Sequence, residues 1–235
     1  MLEYDDQNSK TRISMFAKYA WFVVAYNVIV VLWGVFLRAS KSGDGCGMHW
    51  LTCNGEVLPT APQFKTVIEF THRIMSAADG LVMLILLVGA FLIWRKSRSV
   101  DARSTVKLAA IAFFFVLTEG AIGAGLVLTG NTAETLTVAR PFWMAAHLIN
   151  TFTLLAFLVL TARAASGLAR LSFRVEPKYL GGLAAGVIAI FIVGISGSIA
   201  ALSSMIFHPE RCPRGWRRTF LRPRTSFCVC VCFTR

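Results

Sequence analysis

The sequence predicts an all-α membrane protein, a polytopic four-helix bundle with a fifth transmembrane helix beside it. Three observations carry this. The chain is 56% hydrophobic and only 15% charged, with a mean hydropathy of +0.63. Its charges fall in short islands between apolar runs long enough to cross a bilayer. The basic residues behind the net charge of +12 sit at the ends of those runs and in one short tail. That distribution belongs to a membrane protein in contact with lipid and argues against a nucleic-acid partner.

In chain order, the start MLEYDDQNSK carries Glu3, Asp5 and Asp6. Transit peptides are poor in acidic residues, so none is expected, and the first span serves as its own anchor. Residues 1–18 are expected as a cytoplasmic N-terminus. The spans are expected at Tyr19–Leu37, Ile68–Trp94, Leu108–Thr129, Phe142–Ala162 and Leu180–Leu202, each near the ~20 residues that cross the hydrocarbon core. The first four form a bundle over 19–165, with an outer loop at 38–67, and the fifth helix occupies 180–205. Lys10, Arg12 and Lys18 precede span one; Arg95, Lys96, Arg98, Arg103 and Lys107 follow span two; Arg163, Arg170, Arg174 and Lys178 follow span four. Short basic loops stay in the cytoplasm, so the N-terminus is expected inside and the first and third loops outside.

Cys46 and Cys53 therefore face an oxidising compartment, in SGDGCGMHWLTCNGEVLP. Close in sequence there, they can form a small disulfide ring. Such a ring would staple the loop or act as a redox-active pair. A zinc site with His49 ranks below both, because a fourth ligand is missing.

The stretch VIEFTHRIMSAADG opens span two. As a helix it puts Glu69, His72, Ser76 and Asp79 on one face. Ionisable groups inside a membrane span are costly and default to function. His72 lies four positions after Ile68 and His147 five after Phe142. At the helical rise both imidazoles fall roughly 6–8 Å below the outer boundary. Two histidines at one depth, on helices running the same way, can ligate one haem iron from opposite faces. The plainer alternative is two separate interhelical hydrogen bonds. Glu69, one turn outward from His72, can handle protons at a reacting edge, orient the imidazole or mark the interface. Asp79 and Glu119 both fall near the midplane, where they share a proton, form a proton path, or bond to Ser76, Thr118 or backbone. Asn150 and Thr151 are expected as packing hydrogen bonds, and Gly182 with Gly186 as a small-xxx-small helix contact.

These residues carry a resemblance. The C-x6-C outer loop, then IEFTHR with Glu69 and His72, then VLTGNTAETLTVARPFWMAAHL with His147, closely resemble the haem A synthase family over about residues 15–205. The resemblance implies an eight-helix protein made of two four-helix halves, the N-terminal half holding haem O as substrate. It implies oxidation of a porphyrin methyl group to a formyl, giving haem A for the terminal oxidase. It further implies that His72 and His147 are axial ligands of the substrate iron, that Glu69 is a catalytic carboxylate, and that Cys46 and Cys53 form the outer disulfide. Expected partners are haem O, haem A, haem O synthase, a terminal oxidase subunit and an electron donor; pairing of two copies would be a homo-oligomer. The expected location is the bacterial inner membrane.

The chain departs from the family pattern. Met48, His49, Leu51 and Thr52 stand where the family more often carries Pro-Asp before the Trp and Pro-Leu after it. From Phe207 the composition breaks into a basic, Cys-rich tail over 206–235, expected to replace the last three helices by truncation or frameshift. The family's second pair of histidines, which holds a haem b, is then expected to be missing. A basic cytoplasmic tail after a non-spanning fifth helix is the alternative. The competing functions are a non-catalytic haem-binding or electron-carrying membrane protein, and an inactive remnant whose helices merely insert.

Overall fold

A computed structural model describes residues 15–50, 52–132, 137, 139–168 and 177–206. The expected N-terminal segment before Met15 and the basic tail after Ile206 lie outside the described residues. Five helices follow in order: α1 (Met15–Ala39), α2 (Phe64–Ser97), α3 (Val100–Leu128), α4 (Arg140–Ala165) and α5 (Pro177–Ile206). All five are long and apolar enough to cross a membrane, and no strand occurs among the described residues. The protein is multi-pass.

Local chemistry sets the helix ends. α2 stops where Arg98 turns left-handed, φ 54°, and its N–H bonds back to the Trp94 carbonyl. Ser99 then caps α3, its hydroxyl accepting from the Ala102 N–H. Two residues therefore reverse the chain, so α2 and α3 are antiparallel neighbours. Pro141 sits in the first turn of α4, where its missing N–H costs nothing.

The helices α1, α2, α3 and α4 make a closed ring: α1 packs on α2 and α4, and α3 packs on α2 and α4. α2 and α4 stand diagonally across the ring with their backbones apart, and side chains of both belong to one core cluster. α5 packs only on α4 among the described residues. Gly194 is the closest approach there, since a Cβ on it would lie 2.6 Å from Leu148 Cδ2. Gly182 and Gly186, expected at a close helix contact, meet nothing within 4 Å. The contact sits at the other end of α5 because Leu148 and Phe152, at one level of α4, fill the space beside Gly194.

The core is divided by depth. At the end away from the long loop, Ala20, Val23, Met83, Leu86, Ala112, Leu154, Leu158 and Ala162 form a dry apolar cluster. Three of these are alanines, which let helix backbones come close where lipid supplies no hydrophobic drive. Toward the loop end the buried residues turn polar: Asn27, Asp79, Asn150, Thr151 and Glu69. The outward faces carry Phe22, Ile29, Leu32, Leu84, Ile85 and Phe114, all exposed, as a lipid-facing surface requires.

Candidate functional site

The loop between α1 and α2 is built around a bond between Cys46 and Cys53, both buried. Their sulfurs are joined to each other, so the zinc alternative has no thiolates left. No group of three His, Cys, Asp or Glu gathers as a metal-ligand set among the described residues. Cys53 and Glu56 exchange backbone hydrogen bonds of 2.7 and 3.0 Å, and the Asn54 N–H donates to the Cys46 carbonyl. The loop lies tightly on the start of α2. A Cβ at Gly45 would sit 2.4 Å from the Lys65 carbonyl, and the Thr66 hydroxyl donates to the Gly45 carbonyl at 2.9 Å.

Glu69 and Arg73 lock this loop down. The Glu69 carboxylate is 3% exposed. One oxygen accepts from the Cys46 N–H at 2.9 Å; the other pairs with Arg73 at 2.5 Å. Arg73 also donates to the backbone carbonyls of His49, Trp50 and Thr52. The residue expected to act at a reacting edge thus also ties the disulfide loop to the helix that carries His72. Arg73 was not singled out from the sequence. Its signal was the i, i+4 spacing from Glu69.

The two histidines fall on the diagonal pair of helices. His72 projects from α2 toward Gly34 of α1, where a Cβ would lie 3.1 Å from its ring. His147 projects from α4 toward Glu119 of α3. Each carries a buried Nδ1 without a hydrogen-bond partner. Buried polar atoms are almost always satisfied, so each exception calls for an explanation. His147 Nδ1 does lie 3.4 Å from Glu119 Oε1, close enough for attraction but misaligned for a hydrogen bond. Two imidazoles on diagonally placed helices of one bundle can hold a flat metal-bearing molecule, each through the ring nitrogen other than its buried Nδ1. The remaining described histidine, His49, is exposed in the loop. His208 lies outside the described residues.

The midplane carboxylates sit in separate networks. Asp79 is 4% exposed and accepts from Asn27 Nδ2 of α1 at 2.8 Å. Ser76, expected as a partner, is exposed. Glu119 of α3 accepts from Asn150 Nδ2 of α4 at 2.5 Å and from the Thr151 hydroxyl. Thr118 donates to Asn150 Oδ1 at 2.8 Å. No hydrogen bond joins the two networks among the described residues. Asn150 and Thr151, expected as packing, hold a carboxylate beside a histidine. Their signal was the i+3 and i+4 spacing from His147.

Residues 17–215 match the family model COX15-CtaA, described as cytochrome oxidase assembly protein. A Thermus thermophilus protein named protoheme IX farnesyltransferase is 43% identical over 194 residues, covering 83% of this chain and 31% of that protein. A Halalkalibacterium halodurans heme A synthase is 38% identical over 131 residues, 56% of this chain and 42% of the relative. An Exiguobacterium heme A synthase is 36% identical over 113 residues, 48% and 36%. The chain spans less than half the length of each of these relatives. No solved structure matches it.

Proposed function

The chain belongs to the COX15-CtaA family of cytochrome oxidase assembly proteins, and we propose that it is a haem A synthase-type oxidoreductase. Its substrate is haem O, and the product is haem A for a terminal oxidase. What supports this reading is the family match over residues 17–215, together with a histidine, His72 or His147, on each of two diagonally placed helices of the ring.

His72 and His147 hold the iron of the substrate macrocycle and fix the plane of its ring. The dry wall below them keeps water from the reacting edge. Going from methyl to formyl is an oxidation that adds oxygen; with dioxygen as oxidant and an external electron donor, each oxygenation takes up two electrons and two protons and releases water, so protons must reach the site. Glu69, one turn outward from His72, is the catalytic carboxylate. Held by Arg73 and the Cys46 N–H, it presents a fixed negative charge at that edge without reorganising. Asp79 and Glu119 lie deeper and are the proposed path for protons. The disulfide keeps the covering loop in register with Glu69. The natural place for this chemistry is a bacterial inner membrane, with the N-terminus cytoplasmic and the Cys46–Cys53 loop outside, where basic loops and an oxidised cysteine pair agree.

The substrate carries a farnesyl tail, so its supplier is an enzyme of farnesyl transfer to protohaem. The name of the Thermus relative describes that chemistry. A haem O synthase is therefore the expected upstream partner, with an oxidase subunit downstream and an electron donor alongside.

The test is pigment analysis. Purified chain supplied with haem O and a reductant under air should yield a formyl-bearing haem, and His72→Ala or His147→Ala should abolish it. Bound haem that never converts would make the chain a carrier. Absence of any bound haem would overturn the reading.

A further inference from the structure

The two candidate iron ligands are not equivalent. Behind His147 stands a carboxylate; behind His72 stands none, because Glu69 is committed to Arg73 and the Cys46 N–H. His147, Asn150 and Thr151 are spaced i, i+3 and i+4, so all three project from one face of α4. Glu119 faces them from α3, the helix packed beside α4. Its Oε2 accepts from Asn150 at 2.5 Å. Its Oε1 accepts from Thr151 and lies 3.4 Å from His147 Nδ1.

The carboxylate is well fixed. Asn150 is itself held, accepting from Thr118 at 2.8 Å and donating to the Phe115 carbonyl at 2.9 Å. The Thr151 hydroxyl sits between Glu119 and the His147 carbonyl, which it reaches at 2.8 Å. It has one hydrogen and serves one of them at a time. When it turns to the carbonyl, Oε1 is free for the imidazole. His147 Nδ1 is buried and otherwise unsatisfied. A small rotation of the ring would align it with the oxygen already beside it.

We infer that Glu119 is a positioning residue for His147. It accepts a hydrogen bond from Nδ1–H, which fixes the ring plane and leaves the Nε2 lone pair for the iron. Asn150 and Thr151 hold Glu119 in place. His147 is thereby the stronger donor of the pair and His72 the weaker, so the two faces of the macrocycle differ. This rests on the reading that His72 and His147 flank the substrate iron. Carboxylates behind metal-bound histidines commonly act this way, and losing one weakens binding about 10–100-fold.

The experiment loads the full chain with protohaem IX as the probe. Three things are measured: affinity by absorbance titration, the low-spin ferric electron paramagnetic resonance spectrum, and the reduction midpoint. Glu119→Gln should weaken haem binding roughly ten-fold, shift the low-spin signal and raise the midpoint. Glu119→Ala should do the same more strongly, while apoprotein melting stays near native. Thr151→Val, which keeps the carboxylate but removes one strap, should shift the signal in the same direction by less, and it stands as the test if Glu119 variants fail to fold. In a His147→Ala background, Glu119→Gln should add nothing to the spectrum. Unchanged affinity, signal and midpoint in Glu119→Gln, with a six-coordinate signature lost in His147→Ala, would refute the positioning role and leave the ligand pair standing. A native chain without a six-coordinate low-spin haem would refute both.

Discussion

Gly34 shows how closely one residue can be tied to the site. It lies in α1 without a side chain, and the His72 ring occupies the space beside it, 3.1 Å from where a Cβ would stand. Gly34→Val puts branched carbon against that ring. Overpacking of this kind costs about 1–3 kcal/mol, and here the strain falls on His72. The expected result is haem affinity lowered roughly ten-fold or more with the helices intact by circular dichroism. Affinity equal to native would mean that His72 swings away freely and that α1 does not wall the pocket. Nothing in the sequence marked Gly34, because a glycine in an apolar helix can serve packing anywhere along its length. The depths of His72 and His147 could be counted along their spans, since depth follows once the span ends are known. Glu119 was legible as costly but not as a partner of His147. That pairing depends on the rotation of α3 against α4, which composition does not fix.

At the scale of elements, the long loop is an attached part of α2. Its attachments are the disulfide, the Glu69 carboxylate on the Cys46 N–H, and the Arg73 fork on three carbonyls. Closing so short a ring is worth ~2.5 kcal/mol by loop-closure entropy. Cys46→Ser with Cys53→Ser should therefore lower stability by about that much. The loss should be local, because Arg73 still holds the loop from below. Hydrogen exchange should quicken across residues 44–54 and at the first turns of α2, and leave α3 and α4 protected. Uniform quickening over the whole bundle would show that the loop is a keystone of the fold. The cysteine pair and its compartment could be read from spacing and loop charge. The Arg73 fork could not, because an arginine near a span end ordinarily reads as an interfacial anchor.

Across the whole molecule, apolar and polar layers follow each other along the bundle axis, and that gradient gives the protein a direction. The dry cluster of Met83, Leu86, Leu154 and Leu158 closes one end. The polar layer, the two imidazoles and the disulfide loop follow toward the other. The five spans were legible from hydropathy alone, because each span must satisfy its own backbone in lipid. The closure of the ring was not, nor was the diagonal placement of α2 and α4. Both depend on which helix faces meet, and near-uniformly apolar spans give little periodic signal for that. Direction in the membrane is carried by the basic residues Arg95, Lys96 and Arg98 at the end of α2 opposite the loop. Val57, 80% exposed in the loop, and Val100, 68% exposed at the opposite end, report the two sides. In a background with the tail cysteines replaced by serine, Val57→Cys should react with a membrane-impermeant maleimide in intact bacterial spheroplasts. Val100→Cys should react only after permeabilisation. The reverse pattern would put the disulfide loop in a reducing compartment, where Cys46 and Cys53 would not stay joined. The loop would then be held to α2 by Glu69 and Arg73 alone.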